Sequence, residues 1–108
     1  MRMSKFMRIL VFFDLPVVSK RERKAYTKFR RFLLNDGYVM LQYSVYYRIC
    51  NGEEAVQKHM KRLHQNIPPV NGAIRTLKVT EKQFEKMGIL LGKASPNENI
   101  DSKITDFF

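Results

Sequence analysis

The sequence predicts an α+β fold in which two helices pack on one face of an antiparallel sheet. Residues 7–13 are apolar except for Arg8 and have the composition of a central strand buried on both faces. Ser19 followed by Glu22 forms a capping box, which predicts a helix that runs to about Asn35. The elements then follow in the order strand, helix, strand, strand, helix, strand. This order is that of a ferredoxin-like βαββαβ domain.

The first strand ends on a single carboxylate. Asp14 follows the apolar run directly, and Pro16 cannot continue the hydrogen-bond ladder. Ligands of open α/β sheets tend to bind outside the ends of central strands, so Asp14 is a candidate functional acid. The alternative is that Asp14 only polarises the turn or caps the segment that follows.

Charge is the strongest signal in the composition. Twenty Lys and Arg residues against ten Asp and Glu give a formal net charge of +10, which favours a polyanionic partner and nucleic acid first. No apolar run approaches the ~20 residues of a membrane span, and we find no signal-peptide pattern. We therefore expect a cytoplasmic protein that does not act at a membrane. The one cysteine, Cys50, excludes an internal disulfide and is expected to be a buried structural thiol.

The predicted first helix has two different sides. Its apolar side carries Tyr26, Phe29 and Leu33, and its opposite side is almost uniformly basic. Like charges four residues apart cost helix stability, and basic charge in the first turn opposes the helix dipole. We therefore predict that this side contacts the phosphates of a nucleic acid, and that Arg21 and Arg23 in the first turn lie close to Asp14. The alternative is an ordinary solvated helix face. The predicted contacts are Arg21, Arg23, Lys24, Lys28 and Arg31.

The middle of the chain predicts two strands and a second helix. Residues 38–50 read as two short strands broken near 42–44, and Tyr46 is the tyrosine proposed to stack on a base rather than to pack. Asn51 is the expected cap of a helix whose apolar stripe ends at Ile67. His59 and His64 are five positions apart, so they are predicted to be surface residues and not a metal site.

The remainder predicts another strand, a short helix and a tail. Residues 73–80 form a strand with Leu77 among its core candidates, 81–87 a helical turn and 88–92 a last short strand. We divide the chain into a domain at 1–92 and a linker with a docking tail at 93–108. Ile104, Phe107 and Phe108 in that tail are predicted to bind a sheet edge of a partner. The doubly apolar first strand predicts a two-fold homodimer that covers the free face of the sheet.

Four ordered segments resemble one protein family. They are FFDLP at 12–16, RKAYTKFRRFL at 23–33, LQYSVY at 41–46 and VTEKQF at 79–84. Together they resemble the CRISPR-associated protein 2 family, most closely the form found in type II systems. No Walker loop, dinucleotide fingerprint or RNA-recognition motif is present to suggest a different family.

The resemblance implies a ferredoxin-like homodimer that helps to acquire new spacers as the smaller partner of the CRISPR-associated protein 1 integrase. It implies that Asp14 is the metal-binding catalytic residue, that Arg21 and Arg23 are the family's two arginines after the first strand, and that Tyr46 is its aromatic residue. Some members have a basic residue at the start of the second strand, and the matching position in this chain is Met40. Members of the family have been described as magnesium-dependent endoribonucleases, as DNA nucleases and as scaffolds whose nuclease site is dispensable.

Two functional classes follow for this chain. The first is a Mg²⁺-dependent nuclease acting on RNA or DNA, with one ion shared between the Asp14 carboxylates of two copies, because one carboxylate alone is a poor Mg²⁺ site. The second is a non-catalytic dimeric adaptor that binds double-stranded DNA along its basic helices and holds the integrase by its tail. A toxin-like ribonuclease of the same fold is a third alternative.

Overall fold

A computed structural model of the chain describes residues 5–93, and every structural statement below concerns that part. The tail residues Ile104, Phe107 and Phe108, and nearly all of the predicted linker, lie outside it. The elements are β1 (Phe6–Asp14), α1 (Lys20–Asn35), β2 (Val39–Gln42), β3 (Val45–Asn51), α2 (Glu53–Gln65), β4 (Ala73–Thr80) and α3 (Glu81–Glu85). No helix among these is long and apolar enough to cross a membrane.

The strands form one antiparallel sheet in the order β2-β3-β1-β4, which confirms the predicted ferredoxin-like arrangement. β1 is central because its apolar run can be buried on both faces. Helix α1 begins where its sequence predicts: the Ser19 hydroxyl accepts a hydrogen bond from the Glu22 amide, and the Glu22 carboxylate accepts one from the Ser19 amide. The predicted break between β2 and β3 is also confirmed, and Ser44 there has a φ of 63°.

The two faces of the sheet differ in what covers them. On the inner face, Ile9, Val11 and Phe13 of β1 pack with buried residues of α1 and α2. On the outer face, Leu10 packs with Tyr47 and with Phe84 of α3. Because α3 is short, it covers only part of the outer face.

The structure corrects three predictions about α2. Asn51 is the last residue of β3 and not a cap; Gly52 holds the N-cap position with a φ of 93°, which favours glycine, and makes no side-chain capping bond. His59 is buried, because its Nδ1 donates a hydrogen bond to Asp36 at 2.9 Å, whereas His64 is exposed as predicted. Ile67 lies beyond the end of the helix and is exposed.

Two predictions about the last third of the chain are also wrong. Residues 88–92 form no strand, since none of the described strands pairs with them, and Leu90 and Leu91 are fully exposed. Leu77 is half exposed and not a core residue, because it lies on the outer face of the edge strand β4, opposite Leu10. Cys50 is buried as predicted, and burial raises the pKa of its thiol, as expected for a structural thiol.

Candidate active site and nucleic-acid interface

Asp14 is an exposed residue whose position is fixed by its neighbour Phe13, which packs in an aromatic cluster. It is the last residue of β1, and the ring of the preceding Phe13 points to the inner face. That ring lies 5.3 Å from Phe29, 5.6 Å from Tyr46 and 5.7 Å from Tyr26, measured between centroids. Successive residues of a strand point to opposite faces, so anchoring Phe13 inward directs Asp14 to the outer face.

The backbone at Asp14 is also fixed by a close approach from the segment before β4. Gly72 has a φ of +145°, and a Cβ placed on it would lie 2.7 Å from the Asp14 carbonyl oxygen. Only glycine fits a backbone contact this close. On the other side, the Phe13 amide donates to the Ser44 carbonyl at 3.0 Å. The carboxylate therefore extends from a backbone held on both sides.

A shallow cavity of about 230 Å³ adjoins Asp14. Its polar side chains are those of Asp14, Ser44 and Arg75, and its other lining residues are Phe12, Phe13, Val45 and Ala73. The register places Phe12 opposite Arg75 and Asp14 opposite Ala73, so Asp14 and Arg75 share the outer face. Sequence reasoning missed Arg75. The sequence carries no signal for it, because only the register of β1 with β4 brings Arg75 to the face that carries Asp14.

The basic side of α1 is exposed and forms a groove of about 510 Å³. The groove includes four of the five predicted phosphate contacts and is lined by Lys20, Arg23, Lys24, Thr27, Lys28 and Arg31. The apolar side of the helix is buried at Phe29 and Leu33, so the two sides divide as predicted. The groove lies on the helical layer and thus on the opposite side of the sheet from Leu10 and Phe12.

Arg21 and Arg23 do not contact Asp14 in the described part of the chain. Arg21 donates to the Pro69 carbonyl at 3.0 Å, and Arg23 donates to the Val18 carbonyl at 2.6 Å. Arg21 thus contacts the loop between α2 and β4, and Arg23 contacts the loop between β1 and α1. The expected closeness of these arginines to Asp14 is therefore not reflected in any hydrogen bond or ion pair.

Tyr46 occupies a different position from the one that base stacking needs. Its ring is 1% exposed and packs against Phe13, and its hydroxyl accepts a hydrogen bond from Arg30 at 2.9 Å. A base could not reach either ring face in this arrangement, so the expectation of stacking is corrected to one of packing. Of the four tyrosines in residues 38–50, the strongly exposed one is Tyr43, on the β2–β3 turn.

The donor set at Asp14 has the right chemistry for a hard cation but too few ligands. Mg²⁺ takes oxygen ligands in octahedral geometry and is usually bound by one or two carboxylates, waters and substrate phosphates. Among residues 5–93, no group of three or more His, Cys, Asp or Glu side chains could hold a metal ion. A magnesium site at Asp14 therefore requires ligands from outside one copy of this domain.

Comparison with known proteins decides the family. Residues 7–87 match the family model for CRISPR associated protein Cas2. This match runs from the second residue of β1 to beyond the end of α3 and so includes Asp14, the α1 groove and Arg75.

The chain belongs to the Cas2 family. A Cas2 protein of Acidovorax ebreus is 66% identical over 86 residues, which cover 80% of this chain and 83% of the relative. One of Campylobacter jejuni is 46% identical over 100 residues, covering 93% of this chain and 69% of the relative. One of Ligilactobacillus salivarius is 45% identical over 87 residues, covering 81% and 85%. All three relatives are named CRISPR-associated endoribonucleases.

Proposed function

We propose that this Cas2-family chain is a homodimeric, Mg²⁺-dependent endonuclease that cleaves phosphodiester bonds of RNA or DNA. Within the cytoplasm it takes part in spacer acquisition together with the CRISPR-associated protein 1 integrase. The endoribonuclease names of its relatives support the activity. The observation that carries the proposal is the place of Asp14, an exposed carboxylate at the uncovered end of an apolar sheet face.

The outer face supports pairing of two copies. α3 covers this face around Tyr47, but Phe12 is only partly buried and Leu77 is 52% exposed. Covering this apolar surface would stabilise a dimer by about 25 cal/mol for each Å² removed from water. A two-fold axis beside the end of β1 would bring the two Asp14 carboxylates together.

Each residue then has a defined part in cleavage. The two Asp14 carboxylates would hold the ion, and the backbone contacts at Gly72 and Ser44 would fix their positions. When bound, Mg²⁺ supplies a more acidic water and offsets negative charge on the phosphate. The described part of the site contains no histidine near Asp14 to act as a base, so the chain contributes binding and orientation.

A second candidate function is a non-catalytic adaptor for double-stranded DNA. The α1 groove favours it, because its basic side chains are exposed along a regular helix that could follow a phosphate backbone. Ile104, Phe107 and Phe108 remain our proposal for a segment that docks on a sheet edge, either of the paired subunit or of the integrase. The two functions are compatible, since the groove and Asp14 lie on opposite sides of the sheet.

The test is cleavage of a labelled single-stranded RNA and a labelled DNA duplex by the purified protein with Mg²⁺ or with EDTA. Asp14→Asn keeps the shape of the side chain and removes its charge, so it should abolish Mg²⁺-dependent cleavage while the protein remains folded. Glu54→Gln, which removes an exposed carboxylate on α2, should cleave like the unmodified chain. Undiminished cleavage by Asp14→Asn would refute the active site. If the unmodified chain binds the duplex but cleaves neither substrate, the adaptor function is supported instead.

A further inference from the structure

The cavity beside Asp14 holds a guanidinium group that the function proposed above does not use. Arg75 lies on β4 directly opposite Phe12, two residue pairs away from the Asp14–Ala73 pair and therefore on the same face. The two side chains on the same face are close enough to line one cavity, yet they form no ion pair with each other in the described chain. Both charges are therefore available to a ligand.

We propose that Arg75 is the phosphate-binding residue of the Asp14 site, and that its guanidinium donates to a non-bridging oxygen of the same phosphodiester that a metal ion held by Asp14 would contact. This inference rests on the proposed function. A guanidinium group has a planar set of donors that matches phosphate geometry, and its charge does not change in the physiological pH range. An oxygen-rich phosphate is the ligand that a carboxylate-bound cation and an arginine can share.

The neighbours of Arg75 favour this assignment over a structural role. Ala73 has a small side chain, so the space opposite Asp14 stays open, and Phe12 with Val45 gives the cavity an apolar wall. Such a wall excludes water on one side and strengthens a charge-assisted hydrogen bond. Arg75 is itself exposed, and its side chain makes no hydrogen bond to any other residue within 5–93.

The assignment also separates two basic surfaces. Arg21 and Arg23 donate to backbone carbonyls beside α1, whereas Arg75 lies on the face that carries Asp14. Arg21 and Arg23 are the arginines that the family resemblance pointed to. In this chain, the basic residue that lines the cavity beside Asp14 comes instead from the edge strand.

The first experiment measures binding without cleavage. A labelled single-stranded RNA is titrated with the unmodified protein, Arg75→Gln, Arg75→Lys and the charge-matched control Lys58→Gln, in EDTA and over a range of salt concentrations. Lys58 is exposed on α2, on the other side of the sheet. Loss of one charged phosphate contact should weaken binding by Arg75→Gln about tenfold. It should also reduce the salt slope by about one, while Arg75→Lys keeps the slope and loses part of the affinity.

Several results would overturn the assignment. Equal affinities and slopes for Arg75→Gln and Lys58→Gln would show that Arg75 contacts no phosphate. A lower melting temperature for Arg75→Gln with unchanged binding would give Arg75 a structural role. In the cleavage assay, loss of uniform binding should raise KM with little change in kcat. Loss of cleavage in Asp14→Asn combined with an unchanged KM in Arg75→Gln would refute this inference and leave the proposed function intact.

Discussion

Arg8 and Glu81 form a buried ion pair between residues 73 positions apart in the sequence. Arg8 Nε donates to Glu81 Oε2 at 2.8 Å, and Arg8 Nη2 donates to Glu81 Oε1 at 2.5 Å. The guanidinium carbon lies 3.9 Å from the ring centroid of Phe84 and 4.8 Å from that of Tyr47. This pair joins α3 to the middle of the sheet, and it explains why a charged residue interrupts the apolar run of β1.

Removing one member of this pair should destabilise the folded protein, because the charge of the other member stays buried without a partner. We expect Glu81→Gln to lower the free energy of unfolding by about 3–5 kcal/mol, measured by urea denaturation. Glu85→Gln, an exposed residue of the same helix, is the control and should be nearly neutral. The double variant Arg8→Met with Glu81→Met should be more stable than Glu81→Gln. Equal stability of Glu81→Gln and Glu85→Gln would contradict the role of the pair.

A second buried group makes stability depend on pH. Burial alone would raise the pKa of Asp36, but hydrogen bonds and charge from His59 and Arg62 outweigh it and lower the pKa below the ordinary value of 3.8. A lowered pKa contributes stability above the unfolded value, and this is lost as pH falls through the folded value. Asp36→Asn should therefore be less stable than the unmodified chain at neutral pH by about 2–3 kcal/mol.

The difference should begin to shrink below about pH 4, where Asp36 of the unfolded chain begins to bind a proton, and should disappear as the pH falls through the lower pKa of the folded chain. Urea denaturation of both proteins at neutral and acidic pH measures it. Glu54→Gln removes an exposed carboxylate of α2 and should show little difference at either pH. A constant difference between Asp36→Asn and the unmodified chain across the whole range would show that charge on Asp36 is not involved.

The sequence predicts most of this fold because its strongest signals are local. The Ser19–Glu22 capping box and the apolar run of β1 act within a few residues, and both elements form where predicted. The burial of His59 could not be predicted in this way, because its partner Asp36 lies 23 positions away, at the C-terminal end of α1. The predicted strand at 88–92 failed for a related reason, since composition shows strand preference but not whether a neighbouring strand is present to pair with it.

For the candidate site as well, the sequence predicts some residues correctly and not others. Asp14 stood out because a carboxylate ends a buried strand, and the α1 groove because its charges repeat with the helical period. Arg75 joins Asp14 only through the register of β1 with β4, which the sequence alone does not give. Tyr46 was misassigned because strand alternation does not say which face a helix will cover.

Gly72 supplies a test of how the end of β1 is fixed. Gly72→Ala would place a Cβ against the Asp14 carbonyl at a φ of +145°, so it should destabilise the fold by about 1–3 kcal/mol. Gly88→Ala is the matched control, because no atom lies within 4 Å of its added Cβ. Thermal denaturation of both variants measures the effect. Identical melting temperatures would show that the approach of Gly72 to Asp14 is not a constraint.

The α1 groove makes a prediction about salt. Lys24→Gln combined with Lys28→Gln removes two exposed charges from the groove, so the salt slope of duplex DNA binding should fall by about two. Lys58→Gln combined with Lys61→Gln makes the same change in net charge on α2 and is the control. An unchanged slope in the Lys24→Gln, Lys28→Gln variant would mean that the groove is only a solvated helix surface.

Our central claim is that two copies pair through the outer face and bring their Asp14 residues together. Cross-linking tests it most directly, because Cys50 is the one cysteine of the chain and is buried. A short bismaleimide should therefore leave the unmodified protein as single chains on a denaturing gel. The Asp14→Cys variant should become a cross-linked dimer, whereas Lys28→Cys, on the helical layer, should not. Efficient cross-linking of Lys28→Cys but not of Asp14→Cys would contradict the shared site.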